Sequence, residues 1–283
     1  MTDSTKSNYG SNTLKNRNDA ESRAFLNPTR GGSADRLVKT IARGHEIIAT
    51  AIALIFSFVI MGLAMVALGL LITHVLAHGS IGVWDHHVSL WFDRHRSAHW
   101  NRVTGDITDI ADKFEIAGVA AVLTIVLLFR RWGRHAFLLL AGIAIELSVF
   151  LAANAIVARP RPAVIHLGGT PSTYSFPSGH TAATFALYGG IALIVAVATS
   201  RWWARVLMWT FAFALTAAVG LSRVYRGEHY PSDVISGFLL GVGSLMAAVF
   251  IIRVAGVSRA VHAKPVQQST FATADSRLDD AGR

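Results

Sequence analysis

The chain has 283 residues, 52% hydrophobic and only 15% charged, with a net charge of +9 and a mean hydropathy of +0.44. It contains no cysteine, which excludes a disulfide framework, thiolate catalysis and a Cys-ligated metal. No basic face with interleaved aromatics accompanies the positive charge, so nucleic acid is a poor partner, and anionic lipid at a membrane surface is a better one.

Residues 1–44, rich in Ser, Asn, Lys and Arg, predict a disordered cytosolic tail. The first apolar run, residues 48–77, has no Asp, Glu, Lys or Arg and exceeds the ~20 residues needed to cross a bilayer. The long polar stretch before it is unlike a cleavable signal peptide. Residues 78–113 are too long for a simple turn. Their Val83, Trp84, Val88, Leu90, Trp91 and Trp100, mixed with charges, predict an amphipathic segment at the membrane surface.

Further apolar stretches cover approximately 114–129, 136–157, 181–199, 206–221 and 234–252. The expected fold is therefore all-α: a bundle of six transmembrane helices over residues 45–255, with the amphipathic segment between the first and second. Residues 256–283 predict a second disordered cytosolic tail. In this arrangement both termini and the links at 130–135 and 200–205 share one side, which holds 18 of the 26 Lys and Arg. Positive charge gathers on the cytoplasmic side of short loops, so the opposite ends of the helices face outward from the cell membrane.

Three groups of polar residues fall at those outward ends: Arg159-Pro160-Arg161-Pro162, Pro177-Ser178-Gly179-His180, and Ser222-Arg223 with His229 and Asp233 further on. Charge at a membrane boundary is costly unless it serves a purpose. Ser178 is a suitable helix cap, and Gly179 lets a backbone approach an anion. A helix start there offers free N–H groups and the positive end of a dipole to a phosphate. Arg161 and Arg223 carry guanidinium forks that match phosphate oxygens, while Arg159 either reaches a distal phosphate or pairs with headgroups. His229 and Asp233, four apart, share a face on a continuous helical turn. A carboxylate that holds one imidazole N–H leaves the other nitrogen free to attack. Pro231 predicts a helix start with Asp233 in its first turn.

These segments resemble the signature motifs of the type-2 phosphatidic acid phosphatase superfamily: Lys, six residues, Arg-Pro; then Pro-Ser-Gly-His; then Ser-Arg, five residues, His, three residues, Asp. The second and third match at every fixed position. The first matches at Arg161-Pro162, with Asn154 in the place of Lys. The resemblance implies a lipid phosphatase needing neither metal nor other cofactor. His229 would be the nucleophile that becomes phosphorylated, Asp233 its orienting group and His180 the general acid. Arg161, Ser178, the Gly179 amide and Arg223 would bind the phosphoryl oxygens, with Asn154 offering a neutral amide and the missing charge met by Arg159, by Arg226, or by a weaker hold on a less charged substrate. The substrate would be a polyprenyl diphosphate, a phosphatidic acid or a phosphatidylglycerol phosphate. A phosphotransferase using the same histidine, or a catalytically weak lipid-binding or transport protein, is the alternative.

Three further residues invite a reading. Glu146, near the middle of the third span, is either functional or a protonated acid bonded to Thr216 or Ser244. Glu228 can raise the His229 pKa or pair with Arg226. Gly237 and Gly241 have the small-xxx-small spacing of closely packed membrane helices.

Overall fold

The computed structural model describes residue 36 and residues 46–169 and 173–262. Most of both predicted tails lies outside these residues. Every regular element described after residue 45 is helical: α1 (Glu46–His74), a 3₁₀ turn (Leu76–His78), α2 (Ser80–Arg94), α3 (Ala98–Asp109), α4 (Lys113–Phe129), α5 (Gly133–Val157), α6 (Gly179–Ala198), α7 (Trp202–Tyr225) and α8 (Pro231–His262). The last helix continues beyond residue 255, so the predicted C-terminal tail begins as helix.

Among the described residues, five helices are long and apolar enough to cross a membrane: α1, α5, α6, α7 and α8. The predicted second span falls on α4, which has 17 residues and, at 1.5 Å per residue, a length of about 25 Å. Exposed Ile55 and Leu63 on α1, and Leu207 and Phe213 on α7, give these helices an apolar outer surface, the pattern of helices that face hydrocarbon.

α8 is the hub, packing against α1, α5, α6 and α7. Its fully buried Leu240, Ile251 and Val254 cluster with Val149 and Ala153 of α5, Ala182 of α6 and Ala49 and Ala53 of α1, and its Ala248 with Leu138 and Ala141 of α5 and Ile194 of α6. Gly237 and Gly241 lie at the α6–α8 contact. A Cβ on Gly237 would stand 2.3 Å from the Ser178 carbonyl oxygen, and one on Gly241 2.8 Å from that of Ala182. No side chain fits there, and the close approach brings the start of α6 against the start of α8. Glu146 is buried in α5, but the Thr216 and Ser244 hydroxyls donate to the Ala212 and Leu240 carbonyls of their own helices.

The segment between α1 and α4 forms two helices whose buried face is the polar one. Asp85 and Ser89 of α2 and Thr104 and Thr108 of α3 are buried, whereas Val83, Trp84, Trp91 and Trp100 are exposed. α2 packs on α7 and α8, and α3 on α7. The fully buried residues of the two helices are thus polar, and Asp85 among them reaches the start of α8, while Arg94, Arg102, Asp106 and Asp109 stay exposed.

Candidate active site

Local chain chemistry sets the site at the adjoining ends of α5, α6, α7 and α8. α5 stops at Val157 because Ala158 takes the left-handed conformation (φ 47°), its N–H closing on the Asn154 carbonyl. That conformation is unfavourable for a residue with a Cβ, but it ends the helix before Pro160, which could not continue it. α8 begins with Pro231 in its first turn, and the Asp233 carboxylate reaches back to accept the Tyr230 N–H at 3.0 Å. This is the return half of a capping box. The Ser178 N–H donates to the Asp233 carbonyl at 3.0 Å, tying the two helix starts together.

His229 is 3% exposed. Its Nδ1 lies 2.7 Å from the Ser175 carbonyl oxygen. A carbonyl can only accept, so Nδ1 carries the proton and Nε2 presents its lone pair. Burial, followed by the charges of Arg223 and Arg161 and the neighbouring His180, holds the His229 pKa well below its ordinary value. The neutral imidazole is the favoured form.

The expected direct clasp between Asp233 and His229 is replaced by a relay. The Asp233 carboxylate accepts from the Ser175 hydroxyl, from Arg159 and from the Tyr230 N–H, and Ser175 then presents its carbonyl to His229. The reason is positional: Asp233 lies inside the first turn of α8, facing Arg159, while His229 precedes the helix.

Arg159 is also placed differently from a distal phosphate ligand or a headgroup contact. It is 4% exposed. Its Nη1 donates to the Ser232 hydroxyl and to Asp233, and its Nη2 to Asp85 at 2.8 Å. Its guanidinium stacks 4.3 Å above the Tyr230 ring. Asp85 in addition accepts the Ser232 N–H and hydroxyl. Two carboxylates thus neutralise Arg159, and the group locks α2 to the start of α8.

Asn154 does not offer its amide to a phosphate. Nδ2 donates to the Tyr174 and Phe176 carbonyls, both at 2.9 Å, and Oδ1 accepts the Tyr174 N–H at 3.2 Å. Both side-chain donors are spent on backbone, so the residue at the Lys position pins the chain leading into Pro177.

Arg161 and Arg223 converge on Glu228, at 3.1 Å and 3.6 Å from its Oε2. Arg161 also holds the Thr173 carbonyl and hydroxyl, each at 3.0 Å. The buried Nε of Arg223 has no hydrogen-bond partner among the described residues, leaving a donor for an incoming anion. Arg226, proposed as a source of charge, donates through its two Nη atoms to the Asn101 and Leu167 carbonyls, and its Nε, like that of Arg223, has no hydrogen-bond partner among the described residues.

Ser178 is fully buried and its hydroxyl pairs with that of Thr181 at 2.9 Å rather than with a backbone N–H of α6. Gly179 opens the helix, where a Cβ would meet the Phe150 ring at 2.9 Å. The His180 side chain is partly exposed, with Nε2 4.0 Å from a carboxylate oxygen of Asp112, the residue preceding α4. Sequence reasoning missed Asp85, Asp112 and Ser175. Asp85 had a signal: with Ser89 it forms a polar stripe opposite the tryptophans, and where the surroundings are lipid such a stripe belongs inside.

Residues 135–256 match the family model described as the PAP2 superfamily. The undecaprenyl-diphosphatase of Sulfolobus acidocaldarius is 32% identical over 125 residues, 42% of this chain and 56% of that protein. The undecaprenyl-diphosphatase BcrC of Bacillus subtilis is 29% identical over 56% of this chain and 76% of its own length. Phosphatidylglycerophosphatase B of B. subtilis is 36% identical over 25% of this chain and 36% of its own. The matches thus span from about a third to three quarters of these relatives. Among solved structures, the transmembrane PAP2-type phosphatidylglycerolphosphate phosphatase of B. subtilis superposes with a TM-score of 0.56 at 23% identity, over 70% of this chain and 92% of that one. That likeness is one of fold.

Proposed function

We propose, from the match of residues 135–256 to the PAP2 superfamily model, that the chain is a multi-pass membrane phosphatase that hydrolyses a lipid phosphate or diphosphate through a phosphohistidine. The observation that carries this reading is the state of His229: buried, with Nδ1–H held by Ser175 and Nε2 left with its lone pair. Nε2 attacks the phosphorus, and the P–O bond to the lipid breaks. His180 gives its proton to the departing oxygen, with Asp112 stabilising the protonated imidazole. Water then attacks the phosphohistidine, His180 takes a proton from that water, and inorganic phosphate is released. Arg161, Arg223 and the Gly179 amide at the start of α6 hold the phosphoryl oxygens as charge moves between them.

α4 completes six spans, since 17 residues reach the lower end of the crossing range. Both termini are then cytoplasmic and the site faces outward, with α2 and α3 at the outer interface and their tryptophans towards lipid. A polyprenyl diphosphate is the favoured substrate, by likeness to the two undecaprenyl-diphosphatases. The test is phosphate release by the purified protein from a panel of polyprenyl diphosphate, phosphatidic acid and phosphatidylglycerol phosphate. Release from at least one, lost in His229→Ala, is expected; no release from any would refute the reading.

A further inference from the structure

Glu228 immediately precedes the nucleophile, yet its carboxylate turns neither to His229 nor to Arg226. It is 2% exposed. Its Oε2 lies between the two arginines assigned to the phosphoryl oxygens, while Oε1 accepts the Gly168 N–H at 3.1 Å. The loop allows it little retreat, since a Cβ on Gly168 would already stand 2.6 Å from Oε1. Among the described residues no third cation is seen paired with it: Asn154 stands where the family has Lys, Arg159 pairs with Asp85 and Asp233, and the Arg226 Nη atoms donate to carbonyls. The cradle thus contains two guanidinium groups and one buried carboxylate.

Carboxylates and phosphates use the same guanidinium donors. We propose that Glu228 is an internal anion that competes with phosphate for Arg161 and Arg223 and so determines the specificity of the site. Inorganic phosphate, which has only its charge to offer, is held weakly and leaves after hydrolysis. A lipid phosphate, which also buries its apolar chain, displaces the carboxylate and binds. The proposal rests on the reading of Arg161 and Arg223 as phosphate ligands.

The experiment measures binding of inorganic phosphate to the purified full chain by calorimetry, for wild type, Glu228→Gln, Glu228→Asp and Arg161→Ala. Glu228→Gln keeps the shape and removes the charge. Its affinity for phosphate should rise about tenfold or more, on the scale of one charge-assisted hydrogen bond. Glu228→Asp, which draws the charge back by one methylene, should give a smaller rise. Unchanged or weaker binding in both would overturn the proposal and make Glu228 a brace for the arginines. Arg161→Ala tests the underlying assignment, because phosphate binding unaffected by it would mean that the cradle is elsewhere. Lipid-phosphate hydrolysis by wild type, assayed alongside, tests the catalytic reading separately from the competition.

Discussion

His229 and Ser175 are joined by one hydrogen bond, 2.7 Å from imidazole Nδ1 to main-chain carbonyl. Asp233 acts on the same Ser175 through its hydroxyl. The carbonyl of Ser175 survives any change of its side chain, so Ser175→Ala, which loses only the hydroxyl's bond to Asp233 and keeps the contact with His229, should lower kcat by less than about tenfold. Asp233→Ala should do much more damage. It strips a buried guanidinium of one of its two carboxylates, and breaking a buried pair costs about 3–5 kcal/mol. The check is kcat together with thermal unfolding in detergent; comparable kcat losses, with unfolding midpoints unchanged in both, would count against the relay.

Asn154 gives a second prediction. Its three hydrogen bonds to residues 174–176 hold the approach to Pro177, so Asn154→Ala should destabilise by about 1–3 kcal/mol through unsatisfied buried carbonyls. Activity per folded molecule should be largely kept. Asn154→Lys, which would restore the family residue, should be less stable than wild type, because it buries an ammonium against neutral carbonyls and cannot accept the Tyr174 N–H. A folded, more active Asn154→Lys would show that the amide is dispensable and the site open to a third cation.

How far the sequence could be read depended on whether a residue's role was local. Pro231 and the glycines of α8 obey rules of helix starts and helix packing, and Asp233 sits in the first turn that Pro231 predicts, although its carboxylate meets Arg159 and Ser175 rather than His229. Arg159 and Asn154 could not be assigned in this way. Their partners, Asp85 for the one and the 174–176 backbone for the other, are distant in sequence, and spacing alone says nothing of them. The amphipathic segment was legible as a pattern, but the side it buries depends on whether the surroundings are water or lipid. α4 was marked by its apolar run, though its shortness leaves the number of crossings to be tested directly.

The pH dependence follows from His229. Its ordinary imidazole value is 6.5, and burial with Arg223 and Arg161 lowers it well below that. As pH falls through 6.5 the folded protein therefore keeps its nucleophile neutral, and the acid limb of kcat/KM due to His229 should lie below 6.5. The same shift works against the fold in acid. The unfolded chain takes up a proton at this histidine that the folded one refuses, so stability declines as pH drops below 6.5. An acid limb centred at or above 6.5 that disappears in a His229 variant with residual activity would contradict this.

Topology can be checked with single cysteines, as the chain has none of its own. With six spans, a cysteine at Gly133, at the start of α5, is cytoplasmic and one at Gly169, in the loop after α5, is external. In intact cells an impermeant thiol reagent should label Gly169→Cys and spare Gly133→Cys. The reverse pattern would overturn the orientation. Membrane-side assignment of the N-terminus by a fused reporter then separates six crossings from five: six place it with Gly133, and five place it on the opposite side.

The most direct measurement is capture of the phosphoenzyme. The purified protein, mixed with a lipid phosphate labelled at the scissile phosphoryl group and quenched in alkali within one turnover, should carry label that is stable to base and released by acid, as expected of a phosphoramidate. Peptide mapping should place that label on His229. The label should be absent from His229→Ala, and should form slowly in His180→Ala, whose loss of a general acid slows the step by roughly 10²–10⁴-fold. Turnover without any base-stable label on His229, or full labelling of His229→Ala, would contradict the account.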